Sequence, residues 1–388
     1  MPAPALLLRG GRVLDPAQGL DGTLDVRLRD GRVDAVGPDL PADDAEVLDA
    51  AGLLVLPGLI DAHVHCFTGL RGVHLSPEVG GVSRGVTTVV DAGSTGCGLF
   101  PIFHDYVIAN ARTRVLGYLN LSSVAGAVNR DFPRLGHPSM IEPDGIAETV
   151  ARYRDSIVGL KLNAMTSAVG DLGLEPLRRG MRIADEVGVP VLVHIGETAR
   201  RDLPGLPVTP IVEMLRPGDT ITHMYTAAQG GLLDANKHLF PAVREARDRG
   251  VRFDIGHGVS NLSWDVAQRL LDMGFPPDTV STDLGNRSVC GPVYDLPTTM
   301  SKLLALDIPL GDVVAMATSQ AAALIGRADE LGSLAPGRVA DVSVLRLAER
   351  PWEAVDSSGE RRTVEQHLEP VFAVRAGEVI YPRPPDGP

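Results

Sequence analysis

Basic residues are in short supply. Lysine and arginine total 36 against 49 aspartates and glutamates, giving a formal net charge of −13 over 388 residues. Such a surface repels phosphate backbones and offers no basic patch, so no nucleic-acid partner is expected, and the excess acid reads first as a solubility device. Cysteine is nearly absent: Cys66, Cys97 and Cys290 stand far apart with no C-x-x-C pair. Three scattered thiols do not make a disulfide framework, and a reducing, cytoplasmic setting is expected. No window reaches the ~18 uninterrupted apolar residues a membrane span needs. The opening MPAPALLLRGGRVLD also lacks the basic and apolar regions of a secretory signal. Aromatics are only 4% of the chain, while glycine (43) and proline (30) are plentiful. That mix suits many short, punctuated elements better than a few long helices. Apolar residues, at 44%, suffice for a sizeable core.

The chain changes character twice. Its first fifty or so residues read as short strands and turns, with Arg9-Gly10-Gly11 and Arg29-Asp30-Gly31 as hairpin signals. The far end, PGRVADVSVLRL and EPVFAVRAGEVIYP, is again strand-like, with a glycine turn between Arg375 and Glu378. Residues 1–56 and 329–388 are therefore expected to meet in one small β domain. Between them, in residues 57–328, eight apolar runs recur: GLIDAHVH, GVTTVVDAG, RVLGYLNLSS, IVGLKLNA, VPVLVHIG, DTITHMY, VRFDIGHG and TVSTDLG. Helix-compatible stretches closed by glycine separate most of them, as in LEPLRRGMRIADEVG and WDVAQRLLDMG. Eight strand–helix alternations predict an α/β fold of the TIM-type (β/α)8 barrel class. A doubly wound open sheet is the alternative, but no glycine-rich nucleotide loop follows the first strand.

In such a barrel the C-terminal strand ends line the active site. The first strand ends in His63 and His65, the fourth carries Lys161, the fifth ends in His194, the sixth in His223 and the eighth in Asp283. His63 and His65, two residues apart on a strand, point to one face. Two imidazoles on one face suit a borderline-soft divalent ion such as zinc. Packed structural histidines would explain any one of these residues singly; four converging on one mouth favour a metal site. Lys161 has three readings, since an ammonium cannot bind a cation. It is a neutral amine poised for a Schiff base, a partner for a carboxylate such as Asp283, or a lysine carboxylated by CO2 to an anionic carbamate. The carbamate best satisfies the charge requirement beside metal ions. Asp283 can bind a metal through one oxygen and accept a proton from water through the other.

VLPGLIDAHVH, followed by a lysine strand, two histidine strands and an aspartate strand, resembles the amidohydrolase superfamily over nearly the whole chain. LLLRGGRVLDPAQG and LGSLAPGRVADVSVL resemble the two parts of that family's small β-sandwich. The resemblance implies two divalent metal ions. His63, His65 and Asp283 would hold the buried one, His194 and His223 the more exposed one, and Lys161 as N-carboxylysine would bridge both. DAHVHCFTG, VDAGS, GLKLNAM and STDLG are similar to the deacetylase branch near the dihydroorotases. That implies removal of a small acyl group from amino- or hydroxy-acid derivatives, and so a small-molecule substrate. A dihydroorotase would offer an arginine soon after the second histidine, whereas Cys66 and Phe67 follow His65 and Arg71 comes only later. Cyclic amide hydrolysis is the alternative within hydrolases; a Schiff-base lyase or a non-catalytic scaffold leaves the histidines unexplained.

Substrate contacts are expected from the loops: Asn163 and Met165 after Lys161, Tyr225 after His223, and Arg287 after Asp283. An acidic substrate would want an arginine fork, and Arg71, Arg130 and Arg287 lie in loops of the right kind. Cys66 and Cys97 read as buried, inert thiols, and His257 as structural or a loop contact. A homo-oligomer is compatible with the sequence.

Overall fold

The strand-forming power of the middle segment comes from runs buried on both faces. Leu59–Val64, Val86–Ala92 and Ile157–Asn163 have every residue buried, as strands of a parallel sheet sandwiched between layers must. The computed structural model describes residues 5–70, 75–127 and 132–382. In it these strands join Arg114–Asn120, Val191–His194, Thr220–Thr222 and Arg252–Asp254 in one seven-stranded sheet whose order follows the sequence. All six pairings are parallel.

The eighth expected strand is more irregular than the sequence suggests. TVSTDLG makes single parallel bridges, Thr279 to Asp254 and Leu284 to Val64, and thereby joins the last strand to the first. Hydrogen bonds from Asp283 N to His63 O and from His65 N to Leu284 O complete the closure. Asp283 has φ of 49°, a left-handed conformation that breaks the regular ladder there. Helices fall where expected, including Glu175–Val187, capped by left-handed Gly188, and Trp264–Asp272. Among the described residues no helix is long and apolar enough to cross a membrane.

Both chain ends meet in an eight-stranded mixed sheet. Its central contact is antiparallel pairing of Val342–Ala348 with Leu54–Pro57. Leu6, Val26, Val344 and Phe372 share one apolar cluster there. Arg29-Asp30-Gly31 does turn the chain, with Asp30 and Gly31 both at positive φ. Arg9-Gly10-Gly11 does not: Leu6–Asp15 runs on as one strand with a bulge between Leu8 and Gly11. A Cβ on Gly11 would come within 2.4 Å of the Val55 side chain, so the glycine allows close strand approach rather than a turn. A separate hairpin, Trp352–Val355 with Arg361–Val364, docks on the barrel, where Trp264 Nε1 donates to the Glu360 carbonyl.

Candidate metal centre and active site

The first strand places His63, 1% exposed, inside the barrel. There it meets groups from strands that are not its neighbours: Lys161 Nζ lies 3.4 Å from its Nε2, and Thr222 Oγ1 3.0 Å from its Nδ1. His65 and His63 present their Nε2 atoms to Asp283 Oδ1 at 3.1 and 3.4 Å. One ligand atom from each of these three residues lies within 4.8 Å of the other two. Beside them, His223 Nε2 is 2.8 Å from His194 Nδ1, and the His223 ring nitrogen Nδ1 donates to the Gly256 carbonyl at 2.6 Å. His194 Nε2 is buried with no hydrogen-bond partner. All six expected positions thus share one connected cluster, Lys161, His63, His65 and Asp283 on one side and the His194–His223 pair on the other, with 5.2 Å separating the ring centres of His63 and His223.

Burial sets the protonation of the cluster. It drives His63 and His194 well below the ordinary imidazole range, with the Lys161 charge second for His63 and the neighbouring His223 second for His194. His223 is pushed down to about 4, again chiefly by burial. Neutral imidazoles carry the lone pairs that a metal requires. Lys161, 2% exposed, is lowered by burial to about 8 although Asp283, Asp254 and Asp91 oppose it. For Asp283 burial acts upward, but the His65 hydrogen bond and the surrounding positive groups outweigh it, and its carboxyl sits below the usual range. Borderline nitrogen donors with one carboxylate are a donor set for a divalent ion of zinc type.

Strain marks the same place. His223 and Asp283 have φ of 73° and 49°, costly for residues other than glycine and most often kept where function demands it. Glycines supply the room: a Cβ on Gly256 would lie 2.8 Å from His223 Nδ1 and 2.3 Å from Thr222 Oγ1.

A cavity of about 450 Å³ opens above the cluster, with His63, His65, Lys161, His194 and Asp283 in its floor. Asn163, Met165 and Arg287 line its wall. Tyr225 does not. It is fully buried in the apolar core, its hydroxyl without a partner, because the chain turns at His223 and sends Tyr225 away from the mouth. Arg71 and Arg130 lie outside the described residues. Cys66 and Cys97 are buried, and burial raises both thiols above their ordinary value. His257 is fully buried, its Nε2 2.6 Å from Lys302 Nζ.

Three wall or support residues escape sequence reasoning. Arg134 lines the cavity, yet on paper it is one more loop arginine. Glu197 accepts from the Ser167 amide and hydroxyl and from the Ala199 and Arg200 amides, tying the loop after His194 to the loop after Lys161. A carboxylate three residues beyond a strand-end histidine is the only signal for it. Asp254, buried in the seventh strand, accepts hydroxyls from Thr222, Thr279 and Ser281. Burial nonetheless keeps its carboxyl above the usual range.

The amidohydrolase family profile matches residues 212–380. A deacetylase of Agrobacterium fabrum is 37% identical over 352 residues, covering 90% of this chain and 85% of its own. The chain belongs to the amidohydrolase family. It is accordingly a hydrolase of carbon–nitrogen bonds on a TIM-type barrel. A deacetylase of Brucella anthropi is 35% identical over 93% of this amidohydrolase and 88% of the relative. A crystal structure described as a dihydroorotase superposes with a TM-score of 0.89 at 35% identity, covering 98% of this chain and 99% of that one.

Proposed function

We propose that this amidohydrolase is a deacetylase-type enzyme that removes a small acyl group from N-acyl amino acids or O-acyl hydroxy acids, and that it works with two divalent metal ions, zinc by donor chemistry. The observation that carries this is the convergence of His63, His65 and Asp283 on one point, next to a buried lysine that has no ion pair among the described residues. Names of the two relatives, both deacetylases at 35–37% identity over most of the chain, support the acyl-transfer side of the reading.

In this reading His63, His65 and Asp283 hold one ion, and His194 and His223 the other. Lys161 would join them as a carbamate: its neutral Nζ would add to CO2, the N–C bond forming as one C–O π bond opens, with release of one N–H proton. Bound metal would supply a water nucleophile at neutral pH and polarise the acyl carbonyl. Asp283, whose side chain floors the cavity, would take up a proton and return it to the leaving nitrogen or oxygen. Asn163, Met165 and Arg287 form the wall against which the substrate rests. Arg287 with Arg134 gives the mouth a positive charge suited to a substrate carboxylate. Residues 57–328 form the catalytic barrel, with 1–56 and 329–388 as its β domain. Three unpaired thiols suit a reducing, cytoplasmic location.

Cyclic amide hydrolysis is the second reading, favoured by the close superposition on the structure described as a dihydroorotase. The test is metal analysis of wild type, Lys161→Ala and His63→Ala, followed by turnover of matched N-acetyl, O-acetyl and cyclic amide substrates. About two metal equivalents in wild type alone and acyl substrates preferred would support the proposal. Metal-free wild-type protein, or turnover restricted to cyclic amides, would overturn it.

A further inference from the structure

The two first-strand imidazoles are held from behind by the same three-part arrangement, drawn from different strands. His65 Nδ1 lies 2.9 Å from Ser94 Oγ, whose hydroxyl donates to Asp91 Oδ2 at 2.7 Å. His63 Nδ1 lies 3.0 Å from Thr222 Oγ1, whose hydroxyl donates to Asp254 Oδ2 at 2.8 Å. A hydroxyl has a single proton. With that proton committed to the carboxylate, the oxygen can only accept from the ring. Each ring must then carry its proton on Nδ1 and keep its lone pair on Nε2.

The carboxylates are fixed as acceptors by their other partners. Asp91 also takes the amides of Ser94, at 2.6 Å, and Cys66, at 2.9 Å. Asp254 also takes the hydroxyls of Ser281, at 2.7 Å, and Thr279, at 2.8 Å. Ser94 and Thr222 are buried, so water does not compete for these bonds. On the far side of both rings the Nε2 atoms of His63 and His65 face Asp283 Oδ1 at 3.4 and 3.1 Å. Lys161 Nζ reaches His63 Nε2 at 3.4 Å, and a divalent cation placed between the two Nε2 atoms and the Asp283 carboxylate would satisfy all three at once.

We propose that Asp91–Ser94 and Asp254–Thr222 are paired positioning relays that lock His65 and His63 as Nδ1–H tautomers and aim both Nε2 lone pairs at one divalent cation. This rests on the reading of His63 and His65 as metal ligands. Partners one layer behind metal-bound histidines commonly contribute 10–100-fold in affinity, and each relay is placed to do so.

The test uses the full-length protein carrying 15N-labelled histidine, as purified and after metal removal. Imidazole tautomers are read by nitrogen–proton correlation, and zinc affinity by competition with a chromophoric chelator. Wild type is expected to show Nδ1–H at both rings. Thr222→Val should release the lock at His63 only and Ser94→Ala at His65 only, each weakening zinc binding by about 10–100-fold. Thr222→Ser and Ser94→Thr, which keep the hydroxyl, should restore both readouts. Nε2–H tautomers in wild type, or tautomers and affinity unmoved in Thr222→Val and Ser94→Ala, would overturn the relays. Wild-type measurement decides the tautomers even if a variant fails to fold. Correct tautomers in a wild type that binds no zinc would instead overturn the metal reading and leave the tautomer lock standing.

Discussion

Gly258 presses against Asp283 so closely that a Cβ there would stand 2.4 Å from the carboxylate oxygen Oδ2. The glycine also has φ of 51°, so the loop after the seventh strand is shaped to leave that carboxylate room. Gly258→Ala is expected to displace Asp283 and cut kcat at least about tenfold, since small misplacements at a reacting centre are costly. Circular dichroism should show an unchanged fold. Wild-type kcat with an alanine there would mean that Asp283 tolerates movement and is not the proton carrier.

Removing the charge without the shape separates two roles of Asp283. Asp283→Asn should retain part of the metal and lose turnover by roughly 10²–10⁴, the usual worth of a positioned general base. Metal analysis and kcat measured on the same preparation check this. Near-normal kcat would end the assignment.

Carbamate formation needs a neutral amine, and burial brings Lys161 down to about 8. Reconstitution of metal-stripped protein with zinc and bicarbonate should therefore climb as pH rises through that value, from about pH 7 to about pH 9. A lysine at its ordinary value would climb only well above that range. Metal uptake that is independent of both bicarbonate and pH would argue against a carboxylated Lys161.

Tyr225 is core rather than substrate contact, and its buried hydroxyl has no partner. An unsatisfied buried polar group costs stability. Tyr225→Phe should leave kcat/KM unchanged and keep or raise Tm. A marked loss of kcat/KM would return Tyr225 to the active site.

Lys302 is fully buried, and its Nζ lies 2.6 Å from His257 Nε2 while donating to the carbonyls of Pro292 and Val355. Lys302→Met strands these acceptors and should cost about 1–3 kcal/mol. Burial lowers this lysine to about 7. Above that pH the folded chain holds fewer protons on it than the unfolded chain does, so this group makes stability rise with pH until the ordinary lysine value is reached. Its contribution is at most about 1.4 kcal/mol per pH unit. Urea unfolding of wild type and Lys302→Met at several pH values should show that slope in wild type alone. Parallel pH profiles would mean the lysine is not shifted.

The metal-ligand candidates were legible because strand periodicity is local. HVH in an apolar run puts His63 and His65 on one face, and the spacing of later runs puts Lys161, His194, His223 and Asp283 at strand ends. Boundaries and conformations were less legible. Arg9-Gly10-Gly11 reads as a turn but is a bulge, because only the neighbouring strand, with Val55 against Gly11, shows that close approach is what the glycine serves. Tyr225 reads as a loop contact because nothing in MYT reveals the left-handed backbone at His223 that redirects it.

By itself, the sequence determined the residue types at the strand ends, the alternation that makes a barrel, and the acidic, thiol-poor surface. Tertiary structure decided what stands behind the two first-strand imidazoles. His65 meets Ser94 across 29 residues, Thr222 meets Asp254 across 32, and His63 meets Thr222 across 159. Serine, threonine and aspartate are among the most ordinary residues of a loop or strand, and they become relays only when barrel closure brings their strands to the same imidazole. Periodicity along a chain is set by backbone geometry over a few residues; partnership across a barrel is set by closure of the whole.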